Sequence, residues 1–425
     1  MKIRNNLLAI KEVISSIHLS DDDIIEMTSK HSLLHIFDDV EDFRMVNKTA
    51  YKLSDLLLLI FLTVIRSQSN SFMDIAVHIH YDQEFFIKLG LIQEGRFPSH
   101  DTIRIVMSYI ESSVIEDVLV NRIHCLLEEL EKSISKNSMK HISIDGKEIR
   151  GTGRKPDTKK PTKNIQILNV YDNTNSVCFK TETISNKTNE IPVAQEILSN
   201  YALNKTIVTA DALHTQRKTC QIIADRKGYY VFPVKDNQPL LLEEIKAKFS
   251  NKKNKKEVYN TEKRDFEIYY VNKQFDVDGF KGMKDFIKMT SKVRKKNIVM
   301  YFITNLKDDE LMIQAIEDRW QIENDLHREK DVYLNEDEIR FTNKNAVNSM
   351  AIMNNVVVAF ARIIMAFNPE MRLKEAKYYL KYQTSKAINS ILLTLNSDET
   401  MKQLKEQMKK KANNLFLSTF LTNAI

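Results

Sequence analysis

The sequence predicts a mixed α/β domain with helices before and after it. Three strand-like runs rich in β-branched and aromatic residues, HISID, IQILNVYD and VCFKTET, begin at His141. Helical and strand-like segments then alternate, which is typical of a mixed sheet covered by helices. Apolar spacing of the helical type fills the first 130 or so residues and returns in the C-terminal part.

The composition is that of an ordinary globular protein. Of its 425 residues, 43% are hydrophobic and 28% are charged, which suits two or more packed domains and argues against a disordered or fibrous chain. The net charge of +6 permits a polyanionic partner without requiring one. The three cysteines lack CxxC spacing, which argues against a thiolate zinc site and favours a reducing cytosol. Leu56–Ile65 is about half the roughly 20 residues of a membrane span, so we predict a buried helix there.

The elements are expected in a fixed order along the chain. The N-terminal helices include LLLLIFLTVI, MDIAVHIHYDQEFFIKLG and DTIRIVMSYIESSVIEDVLVNRIHCLLEEL, and KSISKNSMK is a candidate linker. After the three strands we predict a helix at about 190–201, a strand TIVTAD, a helix near 214–227, a strand YYVFPVK and a helix near 239–249. Three further strand-like runs, FEIYYV, DFIKMT and IVMYFIT, precede a long helix from about 308 to 332.

Two strands of the predicted sheet end in an aspartate, Asp145 after HISI and Asp211 after IVTA. Turn or helix capping would explain either residue alone. Adjacent strand ends would bring the two charges within a few ångströms, where they repel unless a cation lies between them. Oxygen ligands completed by water suit Mg²⁺ or Mn²⁺. The pair therefore predicts a divalent-metal site that takes a third acid from elsewhere.

The long helix carries the candidate third acid. At 100° per residue, one stripe holds Arg319, Glu323, His327 and Lys330. On a regular helix, Asp325 and Glu329 point elsewhere. A solvated face with an Arg319–Glu323 ion pair is the alternative explanation of this stripe.

A basic loop follows the first aspartate. The run RGTGRKPDTKKPTKN holds a single acidic residue, and its two prolines discourage regular structure. Such a loop would bind DNA phosphates without regard to sequence, although a solvated charge run is an equal alternative. The basic residues of the loop are Arg150, Arg154, Lys155, Lys159, Lys160 and Lys163.

The chain resembles the bacterial insertion-sequence transposases of the DDE type, in the group that includes the H-repeat-associated proteins. The resemblance runs in order through IDGKEIRG, KTNEI, TADALHTQ, GYYVFPVKDNQ, RWQIENDLH, DVYLNED and Arg340, and it extends to YKLSDLLLLIFLTVI and FPSHDT near the N-terminus. The spacing of Arg319, Glu323 and Lys330 also matches a broader transposase signature, but the tyrosine that opens that signature is replaced by Ile316. The resemblance thus covers most of the chain. The role that the tyrosine has in the broader signature is not expected here, because Ile316 stands in its place.

The resemblance implies a ribonuclease H-like catalytic domain at 141–425, with a β-rich insertion at about 249–305 and C-terminal helices at about 346–425. A helical domain at 1–135 would precede it. Its segment Ser99–Glu111 is a candidate DNA-recognition helix, and a helical bundle that packs on the sheet is the alternative of nearly equal weight. Asp145, Asp211 and Glu323 would bind two Mg²⁺ or Mn²⁺ ions and cut and join the ends of the protein's own element. Further DNA contacts are expected from Lys147, Arg150, Arg154, Lys155, Lys159, Lys160, Lys235, Asn237, Gln238, Arg319, His327 and Lys330.

The implied partners are the terminal inverted repeats of the element and its target DNA, bound by a homodimer in the cytoplasm and, with DNA, on the nucleoid. No membrane partner is expected. Two alternatives stay open, a catalytically inactive DNA-binding relic and a general metal-dependent nuclease. Structural roles are the alternative for His214, for His327 and for the turn residues Lys235, Asn237 and Gln238. Trp320 is expected to pack in the core.

Overall fold

The computed structural model describes residues 35–45, 49–67, 69–121, 123, 139–153, 163–184, 189–251, 253–254, 256–271, 279–291, 298–367, 371–384 and 387. The candidate linker lies almost wholly outside these residues, as do loop residues Arg154, Lys155, Lys159 and Lys160.

The described N-terminal part is helical, as predicted. Its helices are α1 (Leu53–Ser67), α2 (Phe72–Tyr81), α3 (Gln83–Lys88), α4 (His100–Tyr109) and α5 (Ser112–Glu116), which continues as a π-helical turn at Asp117–Asn121. The run Leu56–Ile65 lies inside α1 and is buried throughout, which confirms the predicted core helix.

The sheet has nine strands within the described residues, in the order β3-β2-β1-β4-β5-β9-β8-β7-β6. Strands β1, β4 and β5 run parallel, and β2 lies antiparallel between β1 and β3, which is the arrangement expected of a ribonuclease H-like core. The first five strands are β1 (Lys140–Ile149), β2 (Ile165–Asp172), β3 (Val177–Ile184), β4 (Thr206–Ala210) and β5 (Tyr229–Val234). The intervening helices are α6 (Glu190–Asn200), α7 (Arg217–Asp225) and α8 (Pro239–Ser250).

The predicted insertion extends this same sheet. Its strands are β6 (Glu257–Asn260), β7 (Arg264–Tyr270), β8 (Asp285–Ser291) and β9 (Ile298–Thr304). Strand β9 pairs antiparallel with β5, so the insertion continues the central sheet without a break. The sequence prediction missed β6, a short strand that borders the lysine-rich segment.

Strand β1 is longer than predicted, so Asp145 lies within a strand rather than at its end. The parallel pairing of β1 with β4 stops at Ile144 and Ala210, whereas antiparallel pairing with β2 continues from Asp145 to Ile149. Asp211, in contrast, directly follows the last residue of β4. The two acids are neighbours because the parallel ladder ends just before both of them.

The predicted long helix is divided into three parts. Helix α9 (Asp309–Asp318) leads into a π-helical segment at Ile322–His327, which continues as α10 (Arg328–Leu334). A π-helical segment has more residues per turn than an α-helix, and such segments occur frequently at functional sites. The prediction of one regular helix is therefore wrong from Ile322 onward, and angles of 100° per residue do not apply there.

Helix α11 (Lys344–Phe367) joins the N-terminal helices to the sheet. It packs against α1, α4 and α5 on one side and against β3 on another. The buried apolar residues of these elements form one continuous hydrophobic cluster. By length and composition, Lys344–Met365 would suffice to cross a membrane, but 94% of its most apolar window is buried inside the protein, as in a core helix. Helix α12 (Leu373–Tyr382) packs on α1 and α11.

Candidate active site

The two aspartates rest on a polar layer between β1 and β4. The Ser143 hydroxyl lies 2.9 Å from the Thr209 hydroxyl, and the His141 Nε2 atom lies 2.9 Å from the same oxygen. Ser143 also donates to Asn173 Oδ1 at 2.7 Å. Since side chains alternate along a strand, these residues share one face with Asp145 and Asp211. Ile142 and Ile144, which alternate with them along β1, lie in the large hydrophobic cluster on the opposite face.

Glu323 is electrostatically coupled to the two aspartates. Burial, together with the carboxylates of Glu323, Asp211 and Glu190, raises the pKa of Asp145 to about 7. Arg319 opposes this shift of the Asp145 pKa. Asp145 thus lies within electrostatic range of the two other predicted acids and of a fourth, Glu190, and we refer to these four residues as the carboxylate cluster.

Arg319 is an internal countercharge of this cluster. Its guanidinium lies 3.7 Å from Glu323 Oε1, which confirms the predicted pair, and its side chain is only 11% exposed. The guanidinium also stacks on the Trp320 ring, with its carbon 4.5 Å from the ring centroid, and Arg264 stacks on the same ring. Ile316, which replaces the signature tyrosine, is fully buried in the hydrophobic cluster beneath α9.

His327 contacts the first aspartate. Its Nδ1 atom lies 3.4 Å from Asp145 Oδ2, and its Nε2 atom lies 3.1 Å from Asn169 Nδ2. Because Asn169 Oδ1 accepts from Thr181, the Asn169 amide nitrogen faces the imidazole, so Nε2 accepts and Nδ1 carries the ring hydrogen. Burial lowers the His327 pKa, and Lys330 and Lys147 lower it further, so the ring is neutral. The predicted phosphate contact of His327 does not fit this mostly buried position.

The neighbouring acids of the helix are held elsewhere. Asp325 Oδ1 lies 3.3 Å from the Arg362 guanidinium of α11. Glu329 is buried and pairs with Lys377 of α12, with 2.5 Å between the charged atoms. Asp331 pairs with the Lys147 ammonium. Among the acids of this helix, Glu323 is therefore the one that the structure couples to Asp145.

A buried ion cluster fixes the far end of β1. The Lys147 ammonium donates to Glu336 Oε2 at 2.7 Å, and the Lys330 ammonium lies 3.1 Å from the same oxygen. The side chains of Lys330 and Glu336 are both 0% exposed. Asn354 Nδ2 donates to the other Glu336 oxygen at 3.2 Å. The predicted DNA contacts of Lys147 and Lys330 are wrong for this conformation, because both ammonium groups are buried and ion-paired.

Glu336→Gln is expected to lower the free energy of unfolding by about 3–5 kcal/mol, because it leaves Lys330 buried without a counterion. The control is Glu338→Gln, which removes an exposed carboxylate two residues away. Urea unfolding of both variants measures the difference. Equal stability of the two variants would contradict the assignment.

The same cluster predicts a pH effect. Burial opposes ionisation of Glu336, but Lys330 and Lys147 outweigh burial and lower its pKa to about 2 from 4.5. A lowered carboxyl pKa stabilises the fold above the unfolded-state value, and this contribution is lost as the pH falls from about 4.5 to about 2. The free energy of unfolding of Glu336→Gln should therefore fall less than that of the wild type over this pH range.

The remaining predicted DNA contacts differ in exposure. The Arg150 side chain is 74% exposed, with its Nε atom 3.6 Å from Asp337 Oδ2, and Lys235 is exposed. Asn237 Nδ2 donates to the Ala212 carbonyl at 2.6 Å, and Gln238 Nε2 donates to the Thr215 carbonyl at 2.9 Å. These two amides hold the turn after Asp211, which gives them a structural role.

Sequence reasoning missed two kinds of residue at this site. Glu190 lies within the KTNEI motif but was not predicted as a site residue. Arg217 and Lys218 are exposed and line a shallow pocket together with Gln238. These two basic residues directly follow the TADALHTQ motif, and their position beside it is the sequence feature that could have identified them.

The carboxylate cluster fits divalent metal ions by its chemistry. Its donors are carboxylate oxygens, which Mg²⁺ and Mn²⁺ prefer, and repulsion from three neighbouring carboxylates adds to burial in raising the Asp145 pKa. In the described part of the chain, no three Asp, Glu, His or Cys side chains are already arranged to hold a metal. Asp145, Asp211 and Glu323 are the residues whose donors would take it.

Comparisons with known proteins cover most of the chain. Residues 136–360 match the family model described as "Transposase DDE domain", and residues 34–121 match a model described as associated with that domain. YncI of Escherichia coli O157:H7 is 28% identical over 79% of this chain and 88% of its own. The H repeat-associated protein YhhI of E. coli K12 is 24% identical over 80% of this chain and 92% of its own. The overlap with the solved piggyBac transposase synaptic complex is loose, with a TM-score of 0.40 at 14% identity, over 95% of this chain and 84% of that chain.

Proposed function

The chain belongs to the family of DDE transposases, in the H-repeat group, and on that premise we propose that it cuts and joins the ends of its own insertion sequence by two-metal phosphoryl transfer. The family implies dependence on a divalent metal. The observation that carries the proposal is the position of Asp145 and Asp211 directly after the last pair of the parallel β1–β4 ladder, within range of the charge of Glu323. Repulsion between such neighbouring carboxylates is relieved by a cation.

Each acid of the cluster has its own support within the fold. Asp145, Asp211 and Glu323 would hold two ions, which supply an activated water or 3′-hydroxyl and stabilise the leaving oxygen. His327 lies beside Asp145, with 3.4 Å between its Nδ1 atom and Oδ2 of that carboxylate. The positive charge of Arg319 attracts the Glu323 carboxylate and so holds it beside the cluster. Asp211 is fixed by accepting the backbone N–H of Leu213 at 2.9 Å.

DNA would approach along the exposed basic residues around the cluster. Arg150, Lys235, Arg217 and Lys218 are exposed and suit phosphate contacts. The basic loop with Arg154, Lys155, Lys159 and Lys160 connects β1 to β2, although its residues 154–162 lie outside the described part. We place the terminal inverted repeats and the target DNA on this surface, bound by a homodimer, with the protein in the cytoplasm and on the nucleoid.

The test of function uses duplexes that carry the element's ends, read from the genomic DNA on either side of the gene. Cleavage at these ends with Mg²⁺ or Mn²⁺, lost on chelation, is expected, with no cleavage of a shuffled duplex. Cleavage of both duplexes would favour a general nuclease. Binding without cleavage under either metal would favour an inactive relic.

A second expected result concerns the basic loop. Changing Lys155, Lys159 and Lys160 together to Gln should weaken binding of cognate and random duplexes alike. Each lost phosphate contact should reduce the slope of log affinity against log salt by about 0.9. Filter binding at several salt concentrations measures this slope.

The control for the loop replaces Lys227, Lys246 and Lys263, which are exposed elsewhere, and removes the same charge. A slope that changes equally in both triple variants, or in neither, would mean that the loop is merely solvated.

A further inference from the structure

Glu190 reaches the catalytic cluster from the first turn of α6. Asn189 caps this helix by accepting the Ile191 N–H at 3.1 Å, and Glu190 is its first residue. Its side chain is 21% exposed. Its carboxyl group lies against Gly146 of β1, the residue that follows Asp145.

Gly146 leaves the space that the Glu190 carboxylate occupies. A Cβ atom at residue 146 would overlap all three atoms of that carboxyl group. Gly146 directly follows Asp145 in β1, so the Glu190 carboxylate lies against the backbone of the catalytic strand. The requirement for glycine in this part of the IDGKEIRG motif is therefore explained by Glu190.

His214 provides an independent observation at the same place. Its side chain is 1% exposed, and within the described part of the chain both ring nitrogens lack a hydrogen-bond partner. The nearest acid is Glu190, with Oε2 at 3.6 Å from Nε2. His214 ends the short 3-10 turn that Asp211 caps, so it is tied to the second catalytic aspartate. A buried imidazole without a hydrogen bond costs free energy. This cost indicates that His214 gains a hydrogen-bond partner when the site binds its metal.

A simpler explanation treats Glu190 as an acid that stabilises a helix N-terminus. Such an acid needs neither a glycine on the neighbouring strand nor a buried histidine behind it. Both features are present, and both face the carboxylate rather than the backbone of α6.

We propose that Glu190 is a fourth acidic ligand of the divalent metal site and that His214 is a positioning residue that holds its carboxylate. This inference rests on the proposed function, because it assigns a further ligand to the same ions. The ring N–H of His214 would donate to one Glu190 oxygen and leave the other oxygen free for the metal.

The experiment measures Mn²⁺ binding by electron paramagnetic resonance in the full chain, without DNA. Glu190→Gln is expected to weaken Mn²⁺ binding at least about tenfold or to remove one bound ion. Glu196→Gln is the matched control, because Glu196 is an exposed acid on the same helix. Thermal melting of both variants should match the wild type. Unchanged Mn²⁺ binding in Glu190→Gln would overturn the proposal.

The role of His214 is tested by two substitutions. His214→Leu should weaken Mn²⁺ binding as Glu190→Gln does, whereas His214→Gln, whose amide can still donate, should restore most of it. A packing role alone predicts the reverse order or no difference in Mn²⁺ binding between the two variants, and that outcome would overturn the positioning role.

The reference variant is Asp145→Asn. If the wild type binds Mn²⁺ and Asp145→Asn does not, unchanged binding in Glu190→Gln refutes the Glu190 proposal alone. If the wild type binds no Mn²⁺ and cleaves nothing, the proposed function fails and the inference fails with it.

Discussion

Replacing Asp145 or Asp211 by asparagine is expected to abolish metal-dependent strand cleavage while most of the DNA affinity remains. A bound metal contributes several kcal/mol to such a reaction, so the loss should be at least about a thousandfold. Phosphate contacts elsewhere survive, because they do not involve these carboxylates. Cleavage of an end-containing duplex and filter binding of the same duplex measure the two effects separately.

The stability of the Asp145 variant separates a lost ligand from a damaged fold. Burial and the neighbouring carboxylates raise the pKa of Asp145 to about 7 from 3.8, so its ionised form opposes folding at neutral pH. Asparagine removes that cost, and the melting temperature should stay equal or rise. Asp236→Asn changes an exposed aspartate after β5 and is the control. Full cleavage by either the Asp145 or the Asp211 variant would refute the assignment.

Glu323→Gln is expected to be as damaging to cleavage as Asp145→Asn, a loss of at least about a thousandfold. Glu323 is 49% exposed at the cluster, and its charge raises the pKa of Asp145. Asp331→Asn should impair cleavage less, since Asp331 pairs with Lys147 and acts on the site only through the end of β1. Asp325→Asn should be tolerated in cleavage, because its carboxylate is held by Arg362.

Metal-dependent cleavage rates of the three variants, measured side by side, decide the third acid. The cleavage rate is expected to be highest for Asp325→Asn, lower for Asp331→Asn and lowest for Glu323→Gln. Wild-type cleavage by Glu323→Gln together with an inactive Asp331→Asn would show that the third ligand lies about two turns further along the helical segment.

The sequence allowed the central sheet and the catalytic cluster to be predicted, because both depend on local patterns. Alternation in HISID and TIVTAD placed Asp145 and Asp211 on one face, and neighbouring parallel strands then brought them together. The length of β1 was not predictable, because the part after Asp145 is held by pairing with β2, a contact between distant segments.

The environment of the helical stripe could not be predicted either. A helical wheel shows which residues share a side but not what that side faces, so Lys330 was expected at DNA although it lies against Glu336. Glu336 comes within reach because Asn335 adopts a left-handed backbone conformation, with φ of 51°, and reverses the chain after α10. The π-helical segment has no recognisable pattern in the sequence.

The helix α11 has a consequence for how the protein is made. The apolar residues of α1 are buried in a cluster that includes α11, and Arg66 at the end of α1 donates to the Lys381 carbonyl at 3.1 Å. Ribosomes release the chain from its N-terminus at about 5–20 residues per second, so α1 emerges well before its partners. For some 15–60 seconds the nascent chain then carries Leu56–Ile65 without its final neighbours. DNA strand cleavage would consequently begin only after synthesis has passed α12, and until then the uncovered apolar residues make the emerging chain prone to aggregation.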